Sequence, residues 1–290
     1  MTVRKLLPRR VHLDGRIHPD FQPVEQALRE QLRKYPGGAA VCVYHRGEKV
    51  VDLWGGTRDD EGTLWQRDTM APSFSTTKGV AATLLHIYAD RGLIDYDARV
   101  ADYWPEFAQA GKEAITVRQV LCHQSGLYHI RQMIDHVDRM LDWEHMIEAI
   151  ENTEPAHRPG ERTGYHGLTF GFLVGEIIQR VTAKKFSSLV QSEIAKPLKL
   201  DGLYIGTPAK EIPRAAQLLF PESTQKLSQT RLGHYLEVYA TRMSATLRRL
   251  GVDSDLSSIF DALAPRGISD FDFGSPESLR VAIPAGNGLF

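Results

Sequence analysis

The protein has 290 residues, of which 42% are hydrophobic and 24% are charged. This length is typical of one large domain or of two closely packed ones, and the composition excludes wholesale disorder. The 35 Lys and Arg residues balance the 36 Asp and Glu residues, so the charge gives no reason to expect a nucleic-acid or anionic-membrane partner. No apolar run approaches the ~18 residues of a membrane-spanning helix, and we expect none.

The N-terminal segment and the cysteines both favour a reducing compartment. Residues 1–15 are basic and hold only two consecutive leucines before a proline, a run too short for a secretory signal. The two cysteines, Cys42 and Cys122, have neither metal-ligand nor disulfide-framework spacing. Because Cys42 lies in an apolar run, we expect a buried free thiol there. We therefore expect a cytoplasmic location.

The N-terminal part of the chain predicts one helix and a β-hairpin. Residues 20–34 carry apolar side chains at spacings of three and four, and a Pro-Gly-Gly sequence follows them. Residues 39–45 and 49–54 predict two strands joined by a short turn, and 57–73 predict a loop. A lone hairpin is marginally stable and leaves both edges unpaired. Other elements must complete this sheet, and a second copy of the chain pairing with an exposed edge is one way to do so.

The remainder of the chain predicts a mainly helical region. Helical patterns cover residues 74–91, 116–123, 142–152, 168–182, 186–196, 232–250 and 254–263. The helix over 168–182 is apolar around most of its circumference, so we expect it to be buried. Residues 267–290 contain glycines and prolines without a regular apolar pattern and predict irregular structure.

Ser75 and Lys78 form the sharpest local feature, at the beginning of the predicted 74–91 helix. Residues three apart on a helix share one face and are separated by about 4.5 Å of rise. A serine hydroxyl needs a base, and a lysine can serve as one if burial lowers its pKa. The helix N-terminus would favour an alkoxide and an oxyanion. The spacing alone is common, however, and a helix-capping serine beside a surface lysine is its ordinary interpretation.

Further short segments accompany this motif in a defined order and spacing. They are Gly47–Gly56, Asp68-Thr69, Ser73–Ser75, Arg91–Asp95, Val100–Phe107, Ile115–Val117, Leu121–Leu127, Pro159-Gly160, Tyr165-His166, Thr169, Gly171-Phe172, Gly175-Glu176 and Pro197–Leu200. Together they resemble the β-lactamase-related serine hydrolases, in which the S-x-x-K motif carries the nucleophile. The chain is most similar to the class C-like esterases of that superfamily, from about residue 12 to 208 and again at Ile283-Pro284-Ala285.

The resemblance implies an α+β fold of the β-lactamase/transpeptidase type, in which an antiparallel sheet packs with a large helical region. It also implies that Tyr165, where the family has a Y-x-N motif, lies beside Ser75 and Lys78 and shares the proton transfer. The alternative is a structural tyrosine near a loop. Gly167 stands where the family has asparagine, which argues against strong β-lactam turnover more than against ester cleavage.

Other aromatic and histidine side chains near these motifs have weaker claims. His166 invites a triad with Ser75, but a lysine and a tyrosine already supply the base, so we expect a hydrogen-bonded or pocket-lining role. We expect His123 to stabilise its loop by bonding backbone groups. Trp65 and Tyr128 could border an acyl pocket or simply pack. The eleven histidines include no metal-ligand pattern, and we expect neither metal nor cofactor.

The family's third motif, a K-T-G or H-x-G triplet on a C-terminal strand, has no convincing counterpart. Gly233-His234-Tyr235 lies in a helix-like context, and Gly286-Asn287-Gly288 comes two residues from the end. That strand also donates the second oxyanion N–H, and the loss of one such donor costs roughly 2.7 to 4 kcal/mol of transition-state stabilisation. We therefore expect a chain truncated at its C-terminus relative to the family, with an incomplete sheet.

The sequence predicts three parts and one leading activity. Residues 1–73 hold the first helix and the hairpin, 74–263 the helical region with the motifs, and 264–290 an irregular segment where the family's remaining strands would begin. We expect a serine hydrolase that cleaves carboxylic esters through an acyl-enzyme on Ser75. The alternatives are a catalytically impaired homologue that binds a partner, and a β-lactamase or D-alanyl-D-alanine peptidase. The expected partner is a small ester or amide substrate.

Overall fold

The computed structural model describes residues 11–219, 262 and 264–290. These residues form two compact units, one of 11–71 with 213–219 and the other of 72–212 with 262 and 264–290. The predicted helix over 232–250 and nearly all of the one over 254–263 lie outside the described residues. Within the described ranges, no helix combines the length and apolarity that a bilayer crossing requires.

The first unit is a three-stranded antiparallel sheet with one helix. Strand β1 spans Leu13–Ile17, helix α1 Gln22–Lys34, β2 Gly38–His45 and β3 Glu48–Gly56, in the sheet order β1-β3-β2. The predicted helix and hairpin are confirmed. Strand β1 was missed because its sequence, Leu-Asp-Gly-Arg-Ile, has two charged residues and a glycine between its apolar ends. It pairs with β3 from Leu13 opposite Gly55 to Ile17 opposite Val51, and so covers one edge of the hairpin.

Strand alternation determines which side of this sheet is buried. Val51 and Leu53 of β3 form a small core against which Val41 and Val43 of β2 pack, together with apolar residues of α1. Since neighbouring strand residues point to opposite faces, Cys42 points away from that core and is exposed. The prediction of a buried Cys42 thiol was therefore wrong, because an apolar run in a strand has two faces and only one of them is covered by α1.

The second unit is mainly helical. Its helices are α2 Thr76–Asp90, α3 Val100–Tyr103, α4 Val117–Leu121, α5 Ile130–Met133, α6 Trp143–Asn152, α7 Thr169–Thr182, α8 Phe186–Val190 and α9 Pro276–Arg280. A π-helical segment, Gln191–Ala195, continues α8. The predicted helices that fall on described residues are confirmed to within a few residues. The segment 267–290 was expected to be irregular, but it contains α9, which begins after Ser275 caps the Ser278 N–H.

Helix α7 forms the centre of the second unit. Ten consecutive residues, Thr169–Ile178, are buried, as expected for a helix that is apolar around most of its circumference. Helices α2, α3, α4, α6 and α8 pack around it. At the start of α4, Thr116 and Gln119 satisfy each other's backbone N–H groups in a capping box. The result is a helical framework in which α2 packs against α7.

Candidate active site

A left-handed residue precedes α2 and brings Ser75 to the surface. Phe74 has φ +44°, a conformation that non-glycine residues rarely adopt. The Thr77 N–H then donates to Phe74 O over 3.0 Å, and the Lys78 N–H donates to Ser75 O over 3.1 Å. Ser75 is exposed, whereas Thr77 and Lys78 on the following turn are buried. The nucleophile candidate is thus accessible at the positive end of a 15-residue helix.

The Lys78 ammonium group lies in a nearly closed environment beside Ser75. The residue is 7% exposed, and Nζ donates to Ser75 Oγ over 3.0 Å. A second bond from Nζ reaches the backbone carbonyl of Ala285 over 3.0 Å. Burial lowers the pKa of Lys78 below its ordinary value, and the neighbouring Tyr165 partly opposes this shift. Lys78 is therefore closer than an ordinary lysine to the neutral form that can accept a proton.

Tyr165 is the second side chain that contacts the Ser75 hydroxyl. Its hydroxyl donates to Ser75 Oγ over 2.9 Å, and Lys78 Nζ lies 5.1 Å from the centre of its ring. The side chain is 43% exposed. The three residues singled out in the sequence thus meet at one oxygen atom, which accepts hydrogen bonds from both an amine and a phenol.

The loop that carries Tyr165 is tightly built. A Cβ atom on Gly164 would lie 2.2 Å from the Tyr128 ring, so only glycine fits there. The Gly164 N–H donates to His123 O over 2.9 Å, and the His166 N–H donates to His123 Nδ1 over 3.1 Å. His123 therefore bonds backbone groups, as predicted. Tyr128 is buried and packs against this loop.

His166 is a buried, hydrogen-bonded residue and not a partner of Ser75. Its Nε2 accepts the Leu127 N–H at 3.3 Å and is 2.6 Å from Ser125 Oγ, so Nδ1 carries the proton and donates to Gly164 O over 2.7 Å. Burial, reinforced by the neighbouring His123, lowers its pKa to about 3. The preference for a hydrogen-bonded role over a triad is confirmed, because both ring nitrogens are engaged elsewhere.

The segment after α9 closes one side of the site. Gly288 O accepts the Ser73 N–H at 2.9 Å, and the Gly288 N–H donates to Thr77 Oγ1 over 3.0 Å. Asn287 is fully buried, and its side chain bonds three backbone groups between residues 278 and 283. This turn places the Ala285 carbonyl on Lys78. Sequence reasoning missed that contact, although the renewed resemblance at Ile283-Pro284-Ala285 was a signal for it.

An aromatic surface flanks Ser75. Phe74 is 42% exposed, and its ring centre is 5.8 Å from that of Phe273, which in turn is 4.8 Å from that of Phe271. A Cβ on Gly286 would meet the Phe273 ring at 3.0 Å, which puts this ring beside the segment that binds Lys78. Trp65, also considered for an acyl pocket, is 6% exposed and belongs to the first unit.

A metal centre finds no support in the part of the chain that the structure describes. No group of three or more His, Cys, Asp or Glu side chains there could hold a metal ion. The four histidines near Tyr165 and Tyr128 are instead packed ring against ring.

The fold and this arrangement of Ser75, Lys78 and Tyr165 are those of the S-x-x-K class of serine proteins, which includes β-lactamases and penicillin-binding proteins. A family model described as Beta-lactamase matches residues 24–265. The chain belongs to this beta-lactamase family, and the resemblance drawn from its sequence is confirmed.

Curated relatives include proteins named as esterases. The chain is 40% identical over 217 residues to the esterase/beta-lactamase LipL of Mycobacterium tuberculosis (strain ATCC 25618 / H37Rv), a match covering 72% of this chain and 48% of that protein. It is 28% identical over 191 residues to esterase EstB of Burkholderia gladioli, a match covering 60% of this chain and 47% of that protein. The chain thus spans about half the length of the curated relatives it matches.

Solved structures with the same fold confirm the predicted fold class. A crystal structure of a family VIII carboxylesterase superposes with a TM-score of 0.76 and 32% identity, covering 96% of this chain and 68% of that one. A penicillin-binding protein homologue from Caulobacter crescentus gives a TM-score of 0.74 and 30% identity, with the same coverage of 96% and 68%. The architecture is therefore α+β and β-lactamase/transpeptidase-like.

Proposed function

We propose that the protein is a serine hydrolase that cleaves carboxylic esters through an acyl-enzyme on Ser75. The observation that carries this proposal is the convergence of two donors on one exposed hydroxyl. Lys78 Nζ and Tyr165 Oη lie 3.0 and 2.9 Å from Ser75 Oγ. A buried amine and a phenol at these distances can remove and return the serine proton, which is the requirement for nucleophilic catalysis by serine.

The proposed acylation step transfers the acyl group of the ester to Ser75. Ser75 Oγ forms a bond to the ester carbonyl carbon while its proton passes to the neutral amine of Lys78. The tetrahedral intermediate collapses, its bond to the leaving oxygen breaks, and that oxygen takes a proton from Tyr165 or Lys78. In deacylation, water attacks the acyl carbon and gives a proton to Lys78 or Tyr165. The bond between the acyl carbon and Ser75 Oγ then breaks, and Ser75 takes a proton back from the same pair of residues. The lowered pKa of Lys78 supports its role as the base.

The negative charge of the intermediate needs a positive field, and the beginning of α2 supplies one. Ser75 immediately precedes the first residue of this helix, where the helix dipole favours an anion; the N–H groups of Thr76, Thr77 and Lys78 bond the carbonyls of residues 73–75. The Gly288 N–H is engaged with Thr77 Oγ1. We therefore propose that the dipole at the beginning of α2 stabilises the oxyanion.

An apolar acyl group is the substrate feature that the surroundings favour. The exposed ring of Phe74 adjoins the nucleophile, and Phe273 packs on it. Aliphatic or aryl acyl chains would remove apolar surface from water there. The names of LipL, EstB and the family VIII carboxylesterase support an ester substrate.

Fluorophosphonate labelling tests the nucleophile directly. The wild-type protein should be labelled at Ser75, mapped by peptide mass spectrometry, and should hydrolyse p-nitrophenyl butyrate. Ser75→Ala should lose both, whereas Ser192→Ala, which changes an exposed serine on the same unit, should keep both. Labelling at another residue, or equal turnover by Ser75→Ala, would refute the proposal.

A β-lactamase activity is the second candidate, because the name of LipL includes it. Nitrocefin hydrolysis by the wild-type protein, Ser75→Ala and Ser192→Ala distinguishes a β-lactamase from an esterase. With Gly167 in place of an amide side chain, we expect the ester to be the better substrate by kcat/KM. A nitrocefin kcat/KM equal to or above the ester value would favour the lactamase.

A further inference from the structure

Tyr165 lies between two backbone N–H groups that are held by a single residue. The Gly164 N–H donates to His123 O over 2.9 Å, and the His166 N–H donates to His123 Nδ1 over 3.1 Å. The residue between them is the one whose hydroxyl meets Ser75. His123 thus holds the loop on both sides of the phenol, and we call these two hydrogen bonds the His123 clamp.

The imidazole also supports the phenol ring itself. Its ring centre is 5.1 Å from that of Tyr165 and 5.0 Å from that of Phe170 on α7. His123 follows the end of α4 with φ +59°, and its N–H donates to Val120 O over 3.1 Å. The clamp is therefore anchored to two helices of the framework, and Tyr165 is positioned by it.

The clamp requires one protonation state. Nδ1 can accept the His166 N–H only while it carries no proton, so the single proton of the neutral ring is on Nε2. The charged group that faces the ring is Lys78 on α2. Burial and, to a smaller extent, the Lys78 charge lower the pKa of His123. His166, packed on the other side, is itself held neutral by burial.

We propose that His123 is the positioning residue of Tyr165, holding the phenol against Ser75 through a ring nitrogen that must stay unprotonated. The catalytic consequence rests on the proposed function, whereas the clamp itself does not. Protonation of His123 would turn Nδ1 into a donor facing the His166 N–H and would add a positive charge near Lys78. Below the pH at which Lys78 gains its proton, the acid limb of the activity profile should therefore show a second ionisation, that of His123.

The clamp can be tested without activity. Two variants separate its parts: His123→Asn keeps a short acceptor and tolerates a positive φ, whereas His123→Leu removes the acceptor. Nitrogen NMR of the imidazole at pH 7.5 should find Nδ1 bare and Nε2 protonated. Exchange of the His166 amide should be about tenfold faster in His123→Leu than in wild type and His123→Asn. The Gly160 amide, bonded to Gln124 O, is the control and should exchange equally in all three.

Kinetics then test the positioning role. For p-nitrophenyl butyrate, His123→Leu should lower kcat by up to about 100-fold with little change in KM, because misplacement of a catalytic group has this effect. His123→Asn should restore most of kcat and lose the His123 ionisation from the acid limb, while the ionisation of Lys78 remains.

A protonated Nδ1 in the wild type, or equal His166 exchange in all three proteins, would overturn the clamp. Wild-type kcat in His123→Leu, or an unchanged acid limb in His123→Asn, would overturn the positioning role. If the wild-type protein shows no Ser75-dependent turnover, the proposed function is wrong. The His123 tautomer and the His166 amide exchange then still decide whether the clamp exists. If His123→Leu does not fold, the wild-type tautomer and His123→Asn suffice.

Discussion

The Tyr165 hydroxyl donates to Ser75 Oγ over 2.9 Å, although 90 positions separate the two residues in the chain. The contact is made by a loop before α7 and the first turn of α2, two helices that pack against each other. The same Oγ accepts a hydrogen bond from Lys78. An oxygen with two donors is well placed to carry negative charge once its own proton has left.

Removal of the phenol oxygen should impair catalysis without unfolding the protein. Tyr165→Phe keeps the ring on His123 and loses only the hydroxyl, so we expect kcat for p-nitrophenyl butyrate to fall by about 10²- to 10⁴-fold. Thermal unfolding should be unchanged, because the side chain is partly exposed. Tyr44→Phe, at an exposed tyrosine of the first unit, should behave as wild type. Equal kcat in wild type and Tyr165→Phe would show that the phenol takes no part.

The base role proposed for Lys78 predicts a particular dependence on pH. The pKa of Lys78 is lowered, and an amine is a base only above its pKa. The rate of Ser75 labelling by a fluorophosphonate should therefore rise with pH and level off below the usual lysine range. Lys78→Arg cannot release its proton at these pH values and should label slowly throughout. Lys184→Arg, at an exposed lysine, should follow the wild type, and rapid labelling of Lys78→Arg would contradict the assignment.

His166 should make the protein sensitive to acid. Its pKa falls from 6.5 to about 3 on folding, so the unfolded chain binds a proton between these values and the folded chain does not. His166 therefore does not lower the free energy of unfolding above pH 6.5. As the pH falls from 6.5 toward 3, this residue lowers the free energy of unfolding by about 1.4 kcal/mol per pH unit. Urea unfolding at pH 7.5, 6 and 5 measures the slope. His166→Gln should be less stable at pH 7.5 but lose less stability on acidification; parallel slopes would exclude His166 as the cause.

The aromatic surface predicts a preference for longer acyl chains. Phe273→Ala removes the ring that packs on Phe74, so kcat/KM for p-nitrophenyl butyrate should fall relative to the acetate by about tenfold. Leu93→Ala, at an exposed site, serves as the control and should leave the ratio unchanged. An unchanged ratio in Phe273→Ala would mean that the acyl group lies elsewhere.

The sequence predicted those parts of the site that depend on local spacing or on a recognisable motif. Ser75 and Lys78 lie one helical turn apart, so their contact follows from helix geometry, and Tyr165 was found through the family's motif order. Two other contacts of the site involve backbone groups: the Ala285 carbonyl accepts a hydrogen bond from Lys78, and the Gly164 N–H donates to His123 O. Every residue type has these backbone groups, so the composition did not indicate the contacts.

The same distinction explains the two errors in the first unit. Strand β1 forms because β3 has an open edge, and its own sequence has little β-propensity. Cys42 was placed inside because an apolar run does not tell which face of a strand is covered. Helix α7 is apolar around most of its circumference, a pattern that predicts burial whichever elements pack against it, and its burial was predicted.

The exposed thiols give each compact unit its own reporter. The chain has two cysteines in all, and Cys42 belongs to the first unit and Cys122 to the second, both accessible. A maleimide fluorophore on Cys42 in a Cys122→Ser background follows the sheet, and the reciprocal variant follows the helical unit. Comparing the two melting curves would tell whether the sheet and the catalytic framework denature as one cooperative body or in succession.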